Sequence, residues 1–140
     1  MKVMVIVKAT RSSEEDPVPD TAMLEAMGRY NEELADAGIL LSADGLHPTA
    51  KGVRVHFSGD QRTVSKGPFD ATHEIAGYWI WEVKSMDEAI AWVKRCPNPM
   101  PEDSDIDIRP IFEAEEFAKF LTPELAEQEV RLQRKIAGKK

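Results

Sequence analysis

Cysteine is almost missing from this chain: Cys96 is the only one in 140 residues. One thiol excludes an intrachain disulfide and a structural zinc site built on paired cysteines, and it suits a reducing compartment. Long apolar runs are missing as well. The stretch in MKVMVIVKAT falls far short of the ~20 residues of a membrane span. It also lacks a cleavage signature, so neither a membrane anchor nor a signal peptide is expected. Basic excess is missing too, with 18 Lys and Arg against 25 Asp and Glu, a net charge of −7. An acidic surface repels nucleic acid and anionic membrane, so neither is expected as the main partner. The reading is one cytoplasmic domain.

Motifs that carry chemistry are equally scarce. The histidines, His47, His56 and His73, have no second histidine at helical spacing. His73-Glu74 opens an H-E-x-x-H pattern, but Gly77 stands where the second histidine belongs. There is no P-loop, no G-x-G-x-x-G and no G-x-S-x-G elbow, so no metal and no cofactor is expected. Cys96 follows Lys94 and Arg95 at a helix end, where the dipole opposes a thiolate; packing is the simpler role for it.

What is present is an alternation of strands and helices. Val3, Val5 and Val7 interleave with Met4 and Ile6, which predicts a strand over 2–8 with two apolar faces. RSSEEDPVPD reads as a loop. A helix follows from Thr21, capped by Asp20 or Thr21, with Met23, Met27, Tyr30 and Leu34 on one stripe and Gly38 beyond its end. Residues 39–42 predict a short strand leading into a turn-like ADGLHP. Val53, Val55 and Phe57 alternate with Arg54, His56 and Ser58, the pattern of a half-buried strand, and SGDQ turns it into RTVS. In GYWIWEV, Tyr78 and Ile80 face one way, Trp79, Trp81 and Val83 the other. Ser85 and Glu88 form a capping box for a helix striped by Met86, Ala89, Ile90 and Val93, which Pro97 and Pro99 stop. IDIRPIF predicts a last strand with Ile106, Ile108 and Phe112 alternating. Helical segments around Phe117, Phe120 and Leu121, and from Thr122-Pro123, close the chain.

This order predicts an α+β domain, a ferredoxin-like antiparallel sheet with two helices on one face and a C-terminal helical extension. The division falls at residues 1–116 and 117–140. Two helices cover only one face of a sheet whose central strands are apolar on both, so a second copy, packed sheet to sheet, is expected on the other. The closing helices are the intrachain alternative. Charge is uneven: residues 101–129 hold ten acidic and two basic side chains, residues 130–140 five basic and no acidic. That basic tail reads better as the end of a helix complementing its dipole than as a nucleic-acid arm.

Reactive groups concentrate in KGPFDATHEIAG. Imidazole is the side chain that titrates near neutral pH, so His73 is the candidate base, with Glu74 orienting it. Asp70 and Phe69 are candidate ligand contacts in the same loop. Arg54 and His56, on the polar face of their strand, are candidates to line a polar pocket, and Arg54 or Arg109, the latter opposite Ile106 and Ile108, is a candidate anchor for an anion. Against this stands the simpler reading, in which Phe69 plugs the core and the polar groups cap backbone amides.

The segment KGPFDATHEIAGYWIWEVKSMDEAIAWVKRCP, followed by IDIRPIFE, resembles the YCII-related family. In particular it resembles the subgroup marked by a D-G-P-F-x-E-x-K-E signature. Gly67, Pro68, Phe69, Thr72 and Glu74 match it; Lys66, Asp70-Ala71 and His73 depart from it. The resemblance covers most of residues 1–116 and implies a dimeric α+β barrel. A His–Asp pair thought catalytic in the narrower family falls at Met27 and Cys96 here, which implies that the pair is absent. Relatives in the subgroup are often encoded beside alternative sigma factors, which implies a regulatory setting. Two functions follow: a homodimer that binds a small ligand or a regulatory protein, or a cofactor-free, isomerase- or monooxygenase-like enzyme using His73 as base.

Overall fold

The computed structural model describes residues 1–15 and 20–139. Strand β1 (Lys2–Lys8) lies between β5 (Ile75–Glu82) and β6 (Ile106–Pro110), antiparallel to both. Strand β2 (Leu40–Gly45) pairs antiparallel with the far side of β5, giving the order β2-β5-β1-β6. Helix α2 (Thr21–Asp36) joins β1 to β2 and α3 (Met86–Lys94) joins β5 to β6. That connectivity is the ferredoxin-like arrangement, and the chain is an α+β fold as its sequence order predicts.

Register decides which side chains meet the helices. Val3 stands opposite Trp81, Val5 opposite Trp79 and Ile108, and Val7 opposite Gly77 and Ile106. These residues share one face, and with Tyr30 and Leu34 of α2, Val83 and Ala89 they form the core. Trp81, Leu34, Val3 and Val5 are the largest wholly buried side chains, each worth about 1.5–3 kcal/mol of apolar burial. The Tyr30 hydroxyl donates to the Trp92 carbonyl at 2.6 Å and so ties α2 to α3. Burial pushes that phenol's pKa well above its usual range. Met4, Ile6, Tyr78 and Ile80 lie on the opposite face, where no helix of the core packs.

The local signals act as their chemistry requires. The Asp20 carboxylate accepts from the Met23 amide at 2.8 Å and starts α2; Gly38, at φ +75°, follows its end. Ser85 Oγ accepts from the Glu88 amide at 3.1 Å, while the Glu88 carboxylate reaches the Lys84 amide, one residue before the cap. Thr122 caps α5 (Pro123–Ala137), with Pro in its first turn.

Several expectations need correction. Within the segment read as a loop, Arg11–Glu15 is a short helix, α1, and residues 16–19 lie outside those described. Strand β2 runs on through Gly45, because pairing with β5 continues to Gly77. Phe112 lies beyond β6, is 70% exposed and packs on Phe117 of a short helix, α4 (Ala114–Ala118). The largest difference concerns β3 (Val53–Ser58) and β4 (Gln61–Lys66). They form the expected hairpin around Gly59, yet every residue of both strands is exposed. Alternation specifies a face that favours burial; it does not supply the surface that buries it.

Candidate functional site

The core is filled at one end of the α2–sheet interface and open at the other. Continuing along the helix-facing side of β5 from Trp81 and Trp79, the next inward position is Gly77, which pairs with Gly45 of β2. Ala43 is the inward neighbour of Gly45. These positions supply little or no side chain, and α2 spans above them. The result is a cavity of about 730 Å³, within the usual range for a small-molecule site. Gly77 is fixed by the close approach of strand to strand: a Cβ there would lie 2.9 Å from the Asp44 carbonyl oxygen. A Cβ on Gly45 would meet nothing within 4 Å.

Trp79 floors the cavity, Met23 and Met27 of α2 wall it, and Met100 and Leu46 close the sides. Methionine walls adapt to ligand shape. Asn31 is the fixed polar group. Its amide oxygen accepts from the Trp79 indole at 2.8 Å, leaving the NH₂ as a donor at the cavity wall. The lip is built from α1. Ser12 Oγ donates to Glu102 at 2.6 Å and Thr10 Oγ1 donates to the same carboxylate at 3.0 Å. The Ser12 bond, followed by the Thr10 bond, holds the Glu102 carboxyl below the ordinary glutamate range. Ser12 and Ser13, thus tethered, line the mouth opposite Pro99 and Pro101.

Charge at the cavity has one sign. Asp20 and Asp44 are the charged lining groups; among the described residues no Lys, Arg or His lines it. Asp20 is occupied in capping α2, and Asp44 accepts from the Tyr78 hydroxyl at 3.0 Å. Such a surface favours an uncharged molecule and disfavours an anion.

The residues nominated from sequence stand elsewhere. Arg54 donates to Glu74 at 2.6 Å, and its guanidinium lies 3.8 Å above the Phe69 ring. The structure thus brings Arg54, Phe69 and Glu74 into one clamp. Asp70 accepts from the Thr72 amide at 3.0 Å, and that bond lowers its pKa. His73 ends the short turn so formed and is exposed. His56 is exposed on β3, opposite Thr63, and Arg109 is exposed on β6, opposite Met4. None of the seven lines the cavity. A second knot fixes the loop from below: the Glu14 carboxylate accepts from the Thr49 amide at 2.9 Å and from the Thr49 hydroxyl, whose oxygen accepts from the Phe69 amide at 2.8 Å.

Cys96 packs against the core, and burial pushes its thiol up to about 11, which keeps it protonated and inert near neutral pH. Among the described residues, no three His, Cys, Asp or Glu cluster closely enough to hold a metal ion, and no helix is long and apolar enough to cross a membrane. The cavity residues themselves were missed by sequence reasoning. Isolated glycines in strand segments, Gly45 and Gly77, were the available signal, since glycine there marks close approach or missing bulk.

Comparison with known proteins places this architecture. An uncharacterized protein of Rhizobium meliloti (strain 1021) is 26% identical over 93 residues, 66% of this chain and 75% of that protein. The solved structure of 5-chloro-2-hydroxyhydroquinone dehydrochlorinase (TftG) from Burkholderia phenoliruptrix AC1100, in complex with 2,5-dihydroxybenzoquinone, is also similar. It covers 83% of this chain and 98% of its own at a TM-score of 0.48 and 13% identity. The model of the YCII-related domain matches residues 1–115. All six strands, both core helices and the cavity lie within that span, and the chain belongs to the YCII-related family.

Proposed function

We propose that this protein is a homodimeric ligand-binding domain. Its ligand is a small, uncharged, largely apolar molecule carrying a hydrogen-bond acceptor, seated between α2 and the sheet. The observation that carries the reading is the lining of the 730 Å³ cavity. Methionines and the Trp79 face offer apolar contact, the Asn31 amide offers one donor, and the carboxylates at the edge turn anions away. Among the described residues, no His, Cys or Lys lines the cavity, which favours binding over catalysis.

The second copy is supported by exposed apolar surface. Val53, Phe57 and Val64 of the β3–β4 hairpin are 63%, 66% and 63% exposed, a concentration that marks an interface. In this reading the Arg54–Glu74–Phe69 clamp, with Asp70, His56, His73 and Arg109, belongs to the surface that the copy meets.

A thermal-shift screen of neutral aromatic and alicyclic compounds, followed by calorimetric titration, tests the ligand class. Met27→Trp, which fills the cavity, is expected to abolish binding, and His73→Ala to leave it unchanged. Binding that survives Met27→Trp, or that disappears with His73→Ala, overturns the reading. For the dimer, light scattering at micromolar concentration should give at least twice the mass of one chain; the mass of a single chain refutes it.

A further inference from the structure

The dipole accounts for the charge order along helix α5; it does not account for the apolar residues that the helix exposes. All of its residues are exposed. Leu125, Leu132 and Ile136 share one face, at spacings of two and three helical turns, and are 45%, 47% and 52% exposed. A stripe of that kind on a helix exposed all round is a surface made to be covered. The charges say by what. Beside the stripe stand Glu124 and Glu129 in the first half of α5 and Arg131 and Lys135 in the second; Glu127 and Arg134 lie on the far face. A parallel copy sets acid against acid and base against base. An antiparallel copy sets each acidic half against a basic half, and also opposes the two helix dipoles favourably.

We propose that α5 is an association arm whose partner is α5 of a second copy of this chain, packed antiparallel about a two-fold axis. In the matching register Leu125 lies beside the partner's Ile136, and the leucine stripes close on each other. The contact is self-complementary, so one two-fold axis satisfies both helices. The arm lies beyond the residues 1–115 matched by the family model. It therefore adds a surface to the YCII-related unit, and the inference does not rest on the cavity.

Disulfide trapping tests it in the full chain carrying Cys96→Ser. One preparation carries Leu125→Cys and the other Ile136→Cys. In the proposed register, like positions lie about 16 Å apart along the helix axis, too far for a disulfide, whereas unlike positions are adjacent. Mixing the two preparations should give a cross-linked species at least tenfold more abundant than either gives alone. Adding Glu124→Lys and Glu129→Lys to both chains should remove it. Restoration is expected when one chain keeps those two changes and the other carries Arg131→Glu and Lys135→Glu instead. Far-UV circular dichroism of each variant verifies that the helix is intact. Cross-linking of the Leu125→Cys chain with itself, no cross-link in the mixture, or indifference to the charge exchanges overturns the proposal.

Discussion

The two ends of the α2–sheet interface use the same layers to opposite effect. At one end Trp81, Leu34 and Val3 are wholly buried and leave no space. At the other, the inward positions of β5 and β2 are Gly77 and Gly45, the facing turns of α2 carry Met23 and Met27, and a cavity remains. The distance between these environments along β5 is that from Trp81 to Gly77, one step of alternation beyond Trp79. Side-chain volume at a few register positions, with no change of fold, separates a core from a binding site.

The comparison is most sharply tested by removing bulk at each end. Trp81→Ala should cost about 3–5 kcal/mol in denaturant unfolding, whereas Met27→Ala, at a half-buried position beside space that already exists, should cost no more than about 2 kcal/mol. Equal costs would show that the open end is as tightly built as the filled one.

The paired glycines give the next effect. Gly77→Ala forces a Cβ to 2.9 Å from a backbone carbonyl oxygen, and should destabilise by about 1–3 kcal/mol. Gly45→Leu enters open space, so unfolding should shift by no more than ~0.5 kcal/mol while any ligand affinity falls. Reversal of that order would place the void elsewhere.

Glu102 links the lip to pH. Its carboxyl is lowered in the fold, first by the Ser12 bond. The stabilisation is therefore complete above the unfolded glutamate value, roughly 4.3, and is lost as pH falls through the lower folded value. Glu102→Gln should match the wild type at the acid end, be less stable at neutral pH and lack that acid-side slope. A parallel profile would mean that the lip contributes no linkage. The smallest change concerns Cys96, whose thiol is pushed up to about 11. Labelling by a disulfide reagent at pH 8 should run at least ~100-fold slower than that of a free cysteine, and unfolding should abolish the difference.

Much of the fold was legible because its signals are local. The valines of β1, the Tyr78/Trp79/Trp81 alternation, the Asp20 and Ser85 caps and the Thr122-Pro123 start each depend on neighbours a few residues away. The Arg54–Glu74 pair escaped notice because the partners are twenty residues apart and meet only when the hairpin folds back beside the start of β5. The cavity escaped for a different reason. Periodicity reports where side chains are, and the cavity is made where Gly45 and Gly77 have none.

By itself the sequence determined the class of the protein: an acidic α+β chain with a β-α-β-β-β-α-β order, no disulfide, and a charge-divided terminal helix. Those properties follow from composition and short-range spacing, which survive without knowledge of the fold. Only the tertiary structure decided that Gly45 pairs with Gly77 beneath Met23 and Met27, and that Asn31 is held by Trp79 with its amide donor at the cavity wall. The physical reason is that strand register and helix docking bring together groups far apart in the chain. A void, unlike a motif, exists only as the space left between them.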